Sequence, residues 1–211
     1  MPNHELDQGI ARENLCRLLA ACYYQPGPEY NEEHVFESMQ DAAVGIRPEL
    51  AAITQTLRAD FAQLDLEALL LDYTRLFLGP NHIIAKPYGS SWLEDGSTVM
   101  GKSTMAVLEM YREGGFDMRE EFREAPDHIA VELEFLYLLI FRENEAQRSG
   151  DATGYREKAA LRAHFLSEHL GRWVGPFAAA IMDGAQSNYY RRIAELTLAF
   201  VNSELARSQT H

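Results

Sequence analysis

The stretch that decides the fold is APDHIAVELEFLYLLIF, residues 125–141. From Ile129 onward it is apolar on nearly every side, and a helix with no polar face has to be enclosed by others. The stretch therefore predicts the central helix of a bundle. Pro126 fits the start of that helix, where its missing N–H costs nothing, and Asp127 in the same turn complements the positive end of the dipole. His128 and Glu132, four apart, share one face, while Asp127 and Glu134, seven apart, share another. Two readings stay open for these polar groups. Either they cap the helix and tie neighbouring segments together by hydrogen bonds, or they serve a ligand. Asp127 and His128, expected at an exposed mouth, are the better placed for the second role.

Working outward, the chain reads as helical almost throughout. Leu and Ala far outnumber Val and Ile, and no run alternates with the period of a strand. Further helices are expected near 152–172, 176–183 and 187–207 on the C-terminal side. On the N-terminal side they are expected near 5–24, 29–41, 48–62, 65–78 and 97–113. In the first of these, Ile10, Leu15, Leu18, Leu19 and Cys22 mark the buried side. Residues 79–96, GPNHIIAKPYGSSWLEDG, break the pattern with prolines, glycines and serines among large apolar residues. They predict a long ordered loop, and Ile83, Ile84, Tyr88, Trp92 and Leu93 argue against disorder. The expected fold is all-α, a single globular multi-helix bundle spanning 1–211, with no internal repeat.

Composition narrows the function. The 211 residues carry a formal net charge of −13, which disfavours nucleic acid as a partner and favours a cationic one. No apolar run is long enough for a membrane span, and MPNHELDQGIARENL lacks the basic and apolar regions of a secretory signal, so a cytoplasmic location is expected. Cys16 and Cys22 are too few for a disulfide framework and suit buried thiols in a reducing compartment.

Two chemical readings can be tested on spacing. GSTVMGKST, residues 96–104, satisfies G-x-x-x-x-G-K-[ST] through Gly96, Gly101, Lys102 and Ser103. A phosphate-cradling loop is fed by a buried strand, yet GSSWLED precedes Gly96 and would set Glu94 and Asp95 beside the phosphates. Downstream, Met100, Val107, Leu108 and Tyr111 recur at helical spacing. The stretch reads instead as the opening of an amphipathic helix with Ser97 or Ser91 available as a cap and Lys102 in solvent. A nucleotide-binding hydrolase using Gly96–Ser103 is kept as the alternative function. For metal, none of the seven histidines follows a Glu by three residues, His164 and His169 lie on different faces, and no H-E-x-x-H occurs. No metal site is expected.

At this point the sequence resembles a known family. YTRLFLGP at 73–80, KPYGSSWLEDG at 86–96 and APDHIAVELEFLYLL at 125–139 look like the TorD/DmsD family. FLSEHLGRWVGPFAAAI and NYYRRIAELTLAFV fit its C-terminal pattern, so the resemblance covers residues 70–205. It implies an all-α fold of the TorD-like type and a cytoplasmic redox enzyme maturation chaperone, not an enzyme. Such a chaperone binds the twin-arginine signal peptide of a molybdenum-containing oxidoreductase precursor and holds it back until the molybdopterin cofactor is in place. Cofactor-insertion machinery is a further implied partner, and weak guanine nucleotide binding is ascribed to some members.

The resemblance places the peptide-binding residues at Tyr73, Leu76 and Phe77, at Pro87 and Tyr88 with Trp92 following, and at Asp127 and His128. Tyr88 stands where some relatives carry tryptophan, a departure that bears on signal-peptide preference. The residue chemistry agrees. Reading an arginine pair and the apolar stretch after it calls for carboxylates, here Asp127, Glu94 and Asp95, beside an apolar groove. Tyr88, Trp92, Leu76 and Phe77 would supply the groove, although ordinary core packing accounts equally well for Leu76 and Phe77.

Overall fold

The computed structural model describes residues 4–28, 30, 34–79, 82–94, 101–117 and 124–209. The central helix is α7, Ile129–Ser149, with Ile129, Leu133, Leu136, Leu139 and Ile140 wholly buried. Helix α1, His4–Ala21, lies along it through Leu15, Cys16 and Leu19, and α8, Ala152–Phe165, covers another side. The remaining long helices are α2 (Val35–Val44), α3 (Pro48–Phe61), α4 (Leu66–Tyr73), α6 (Lys102–Gly114), α9 (Gly171–Gly184) and α10 (Asn188–Ser208). Helix α10 packs on both α9 and α3, α2 bridges α3 and α1, and one continuous apolar cluster runs through all of them. Among the described residues there is no strand, and no helix is long and apolar enough to cross a membrane.

Several boundaries differ from the sequence reading, each for a local reason. The central helix begins at Ile129, not at Pro126. His128 is its N-cap, with extended backbone and Nδ1 accepting the Ala130 N–H at 3.2 Å. Pro126 and Asp127 form the turn before it. The expected 29–41 helix is observed over Val35–Val44, while residues 29 and 31–33 lie outside the described residues. Pro176 does not open a helix but lies within α9. The break expected there falls earlier, in a π-helical turn over Leu166–Leu170 that runs straight into α9. A Cβ at Gly171 would collide with the Leu166 carbonyl, so glycine is what permits that passage. A second π-helical turn, Thr74–Leu78, ends α4 within YTRLFL. The expected loop contains one short helix, α5, Ser90–Leu93.

Four charges missed in the sequence pin the long helices together. Arg12 of α1 donates to both oxygens of Glu204 of α10, at 2.6 and 2.5 Å. Arg162 of α8 donates to Glu143 of α7 at 2.6 Å and to Glu204 at 3.2 Å. All four side chains are at most 4% exposed. Such a group costs desolvation and is tolerated only when every charge has its partner.

Candidate functional site

The loop of residues 82–94 and the turn before α7 are joined by backbone hydrogen bonds, a short antiparallel pairing of Tyr88 with His128. Ile129 N–H donates to Pro87 O and Gly89 N–H to Asp127 O, both at 2.8 Å. The Asp127 carboxylate then caps the short helix α5, accepting Ser90 N–H at 2.9 Å, with the Thr104 hydroxyl at 3.4 Å. Tyr111 of α6 donates to Pro126 O at 2.7 Å. Beneath the loop lies a buried pair: Glu132 meets His169 Nε2 at 2.8 Å and accepts Trp173 Nε1–H at 3.0 Å. Burial pushes the Glu132 carboxyl up, against the pull of His169 and Trp173. Burial lowers the His169 pKa, yet Glu132 raises it overall. The loop can press on this pair because Gly89 has no Cβ; one would stand 3.0 Å from both Glu132 Oε1 and Trp173 Nε1.

These contacts correct the reading of Asp127 and His128 as groups at an exposed mouth. They are 3% and 4% exposed. Asp127 anchors the loop, and His128 caps α7 with its ring between Tyr24, stacked at 6.2 Å, and Tyr88, edge-on at 5.4 Å. Burial lowers the His128 pKa to about 4, with Asp127 opposing, so the imidazole is neutral near pH 7. Leu76 and Phe77 are buried, Phe77 packing on Tyr23, Tyr190 and Phe177. Pro87 is buried as well. Tyr73 is 8% exposed. Tyr88 and Trp92 are half-buried, and Trp92 donates Nε1–H to Lys86 O at 2.8 Å.

The structure adds partners that the sequence did not single out for this face. Tyr24, just past the end of α1, reaches the turn and donates its hydroxyl to Glu134 Oε1 at 2.8 Å. Glu124 comes within 4.0 Å of His128 Nε2. Burial and then neighbouring carboxylates raise three phenols: Glu134 and Glu124 act on Tyr24, Glu124 on Tyr73 (to about 12), and Glu124 and Asp127 on Tyr88. Tyr24, Tyr73, Tyr88, Glu124 and Glu134 therefore form one aromatic and acidic patch around the buried His128. Such a patch offers carboxylates to a cation and π faces to a guanidinium.

The phosphate-loop reading meets a direct obstacle. Glu94 Oε1 accepts the Ser103 N–H at 2.6 Å and the Ser103 hydroxyl, so the protein's own carboxylate occupies the N-terminus of α6. Those hydrogen bonds hold the Glu94 carboxyl below its ordinary range. A Cβ at Gly101 would strike the same carboxylate. Lys102 is exposed, as an amphipathic helix requires, and Glu94 rather than Ser91 accepts the Ser103 N–H at its start. Asp95 and residues 96–100, including Ser97, lie outside the described residues. Among the described residues no group of His, Cys, Asp and Glu is placed to hold a metal.

The family described as the nitrate reductase delta subunit has a sequence model that matches residues 41–179. The chain belongs to this family, that of the TorD-like chaperones. A "Chaperone protein TorD" of Shewanella piezotolerans is 26% identical, over 92% of this chain and 91% of its own length. One from Shewanella pealeana is 26% identical over 77% and 72%. Another, from a Psychrobacter species, is 31% identical over 64% and 60%. These TorD-like relatives are named as chaperones, and none of the three carries the name of an enzyme.

Proposed function

We propose that this chain is a cytoplasmic chaperone, without catalytic chemistry, for the precursor of a molybdenum-containing oxidoreductase. It binds the precursor's twin-arginine signal peptide and retains it until the cofactor is inserted and the client is folded, with cofactor-insertion machinery as a second partner. The whole chain 1–211 acts as one unit. Family membership supports the class of function, and the aromatic and acidic patch is the observation that carries the peptide reading. The patch pairs carboxylates with phenol faces in a chain of net charge −13, and it lies where two segments distant in sequence are locked together. In this reading Tyr73, Tyr88 and Trp92 meet the peptide. Leu76, Phe77, Pro87, Asp127 and His128 hold those contacts in place from beneath.

Isothermal titration with synthetic twin-arginine peptides tests it. Binding is expected, and it weakens with salt because exposed charge pairs more than about 8–10 Å apart are screened at physiological ionic strength. Exchanging both peptide arginines for lysine costs less than exchanging them for alanine. No heat and no competition across several such peptides would refute the reading. Magnesium-dependent ATP or GTP binding that disappears in Lys102→Ala would instead favour a nucleotide hydrolase.

A further inference from the structure

We propose that Glu134, held by Tyr24, is the carboxylate that reads a client arginine, and that the half-buried stripe of α7 beyond it takes the apolar residues that follow. The inference rests on the signal-peptide reading and names its anchor.

The buried carboxylates each have a committed partner. Glu143 and Glu204 meet Arg12 and Arg162. Glu132 meets His169 and Trp173. Asp72 accepts the N–H groups of Ser187 and Gln186, at 2.8 and 3.2 Å. Asp127 is committed to Ser90 N–H, so a guanidinium there would have to displace the anchor of the loop. Glu134 differs. It is half-buried, and among the described residues its hydrogen-bond partner is a neutral phenol, with no cation and no N–H group beside it. Burial pushes its carboxyl up, against the Tyr24 hydrogen bond. A desolvated carboxylate satisfied by one hydroxyl is poised to gain from an arriving cation, and guanidinium matches it in two hydrogen bonds.

The surroundings fit arginine better than lysine. Tyr24 bonds Glu134 through its hydroxyl while its ring stacks on neutral His128, and Tyr88 stands edge-on to the same imidazole. Glu124 lies on the same side with its carboxylate 39% exposed, available to a second cation. A planar cation between phenol faces and a carboxylate uses both attractions at once.

Beyond Glu134, helical spacing brings Tyr137, Leu138 and Phe141 onto the same side of α7, at three, four and seven residues. All three are half-buried, and the rings of Tyr137 and Phe141 lie 6.3 Å apart. At about 1.5 Å per residue this stripe runs roughly 10 Å past the acid, the reach of about three residues of extended peptide. Acid first and apolar afterwards is the complement of an arginine followed by an apolar stretch.

The test uses three fluorescein-labelled peptides that share one apolar run and differ in the pair before it: Arg-Arg, Lys-Lys or Ala-Ala. Anisotropy titrations compare the parent chain with Glu134→Gln, Tyr24→Phe and Leu138→Gln, each shown by thermal melting to stay folded. Glu134→Gln should weaken the Arg-Arg peptide about ten- to a hundredfold and leave the Ala-Ala peptide unchanged. Tyr24→Phe, which keeps the ring and frees the carboxylate, should retain the preference for Arg-Arg. Leu138→Gln should weaken all three peptides alike. If Glu134→Gln keeps the parent's preference for Arg-Arg over Ala-Ala, the inference is overturned while the signal-peptide reading stands. If the parent shows no such preference, the signal-peptide reading fails and the inference falls with it.

Discussion

Replacing Asp127 separates anchoring the loop from reading the peptide. Its carboxylate accepts the Ser90 N–H at 2.9 Å from a site only 3% exposed, and the Thr104 hydroxyl at 3.4 Å is near the outer limit of a hydrogen bond. Asp127→Ala removes one charge-assisted bond, worth about 1.5–3 kcal/mol, and leaves the start of α5 uncapped. At about 2–4 °C per kcal/mol for a chain of this size, the melting temperature should fall by about 3–12 °C. Amide exchange should accelerate at Ser90 and at Gly89, whose N–H bonds to the Asp127 carbonyl in the same junction. Asp127→Asn keeps an oxygen for Ser90, so it should lose less than half as much and keep the preference for arginine-bearing peptides. Thermal melts, hydrogen exchange and peptide titration of both variants decide the matter. An Asn variant that melts like the parent yet no longer distinguishes arginine from alanine peptides would refute the reasoning, because the charge of Asp127 would then be reading the client.

The remaining predictions concern the supports of that junction. Arg162→Ala strands the Glu143 carboxylate in the core while Arg12 still holds Glu204, and should cost roughly 3–5 kcal/mol by urea unfolding, whereas Arg162→Met with Glu143→Met should cost clearly less than the two single changes added. Gly89→Ala sets a methyl 3.0 Å from two buried groups that cannot retreat, Glu132 and Trp173, and should destabilise by about 1–3 kcal/mol and weaken peptide binding. His128, at about 4 in the folded chain and about 6.5 when unfolded, binds its proton in the unfolded state first. Its contribution is therefore present above pH 6.5 and is lost as the pH falls towards 4, by about 3 kcal/mol in all. His128→Asn, a good N-cap, should flatten that part of the stability curve relative to the parent.

The helical architecture was legible because α7 is apolar all round, a pattern that leaves it no place but the centre. Its start was misread because a proline before a helix fits the first turn and the preceding turn equally well. What selects the turn is the pairing of Tyr88 with His128, contributed by a segment forty residues away. The burial of Asp127 escaped the sequence for the same reason: its partners Ser90 and Thr104 lie 37 and 23 residues distant. Glu134 was noted as sharing a face with Asp127, but its bond to Tyr24 spans 110 residues and left no local signal. The Arg12, Glu143, Arg162 and Glu204 group did leave one. Arg12 follows Gly9 and precedes Leu15 and Cys16 at the spacing of the buried stripe, and Glu204 follows Leu196 and Phe200 in the same way. Charges in apolar register, two of each sign, are the mark of a buried pairing.

In the proposed function an arginine-bearing client segment binds across the junction of the 82–94 loop, the 124–128 turn and the half-buried stripe of α7. Hydrogen exchange of the full chain, with and without a saturating twin-arginine peptide, tests it most directly. Added protection is expected at residues 87–92 and along α7 from Ile129 to Leu138, absent when the two arginines are alanine. Protection confined elsewhere, for instance to the cavity of about 500 Å³ lined by Ile10, Leu18 and Ala42 between α1 and α2, would contradict it.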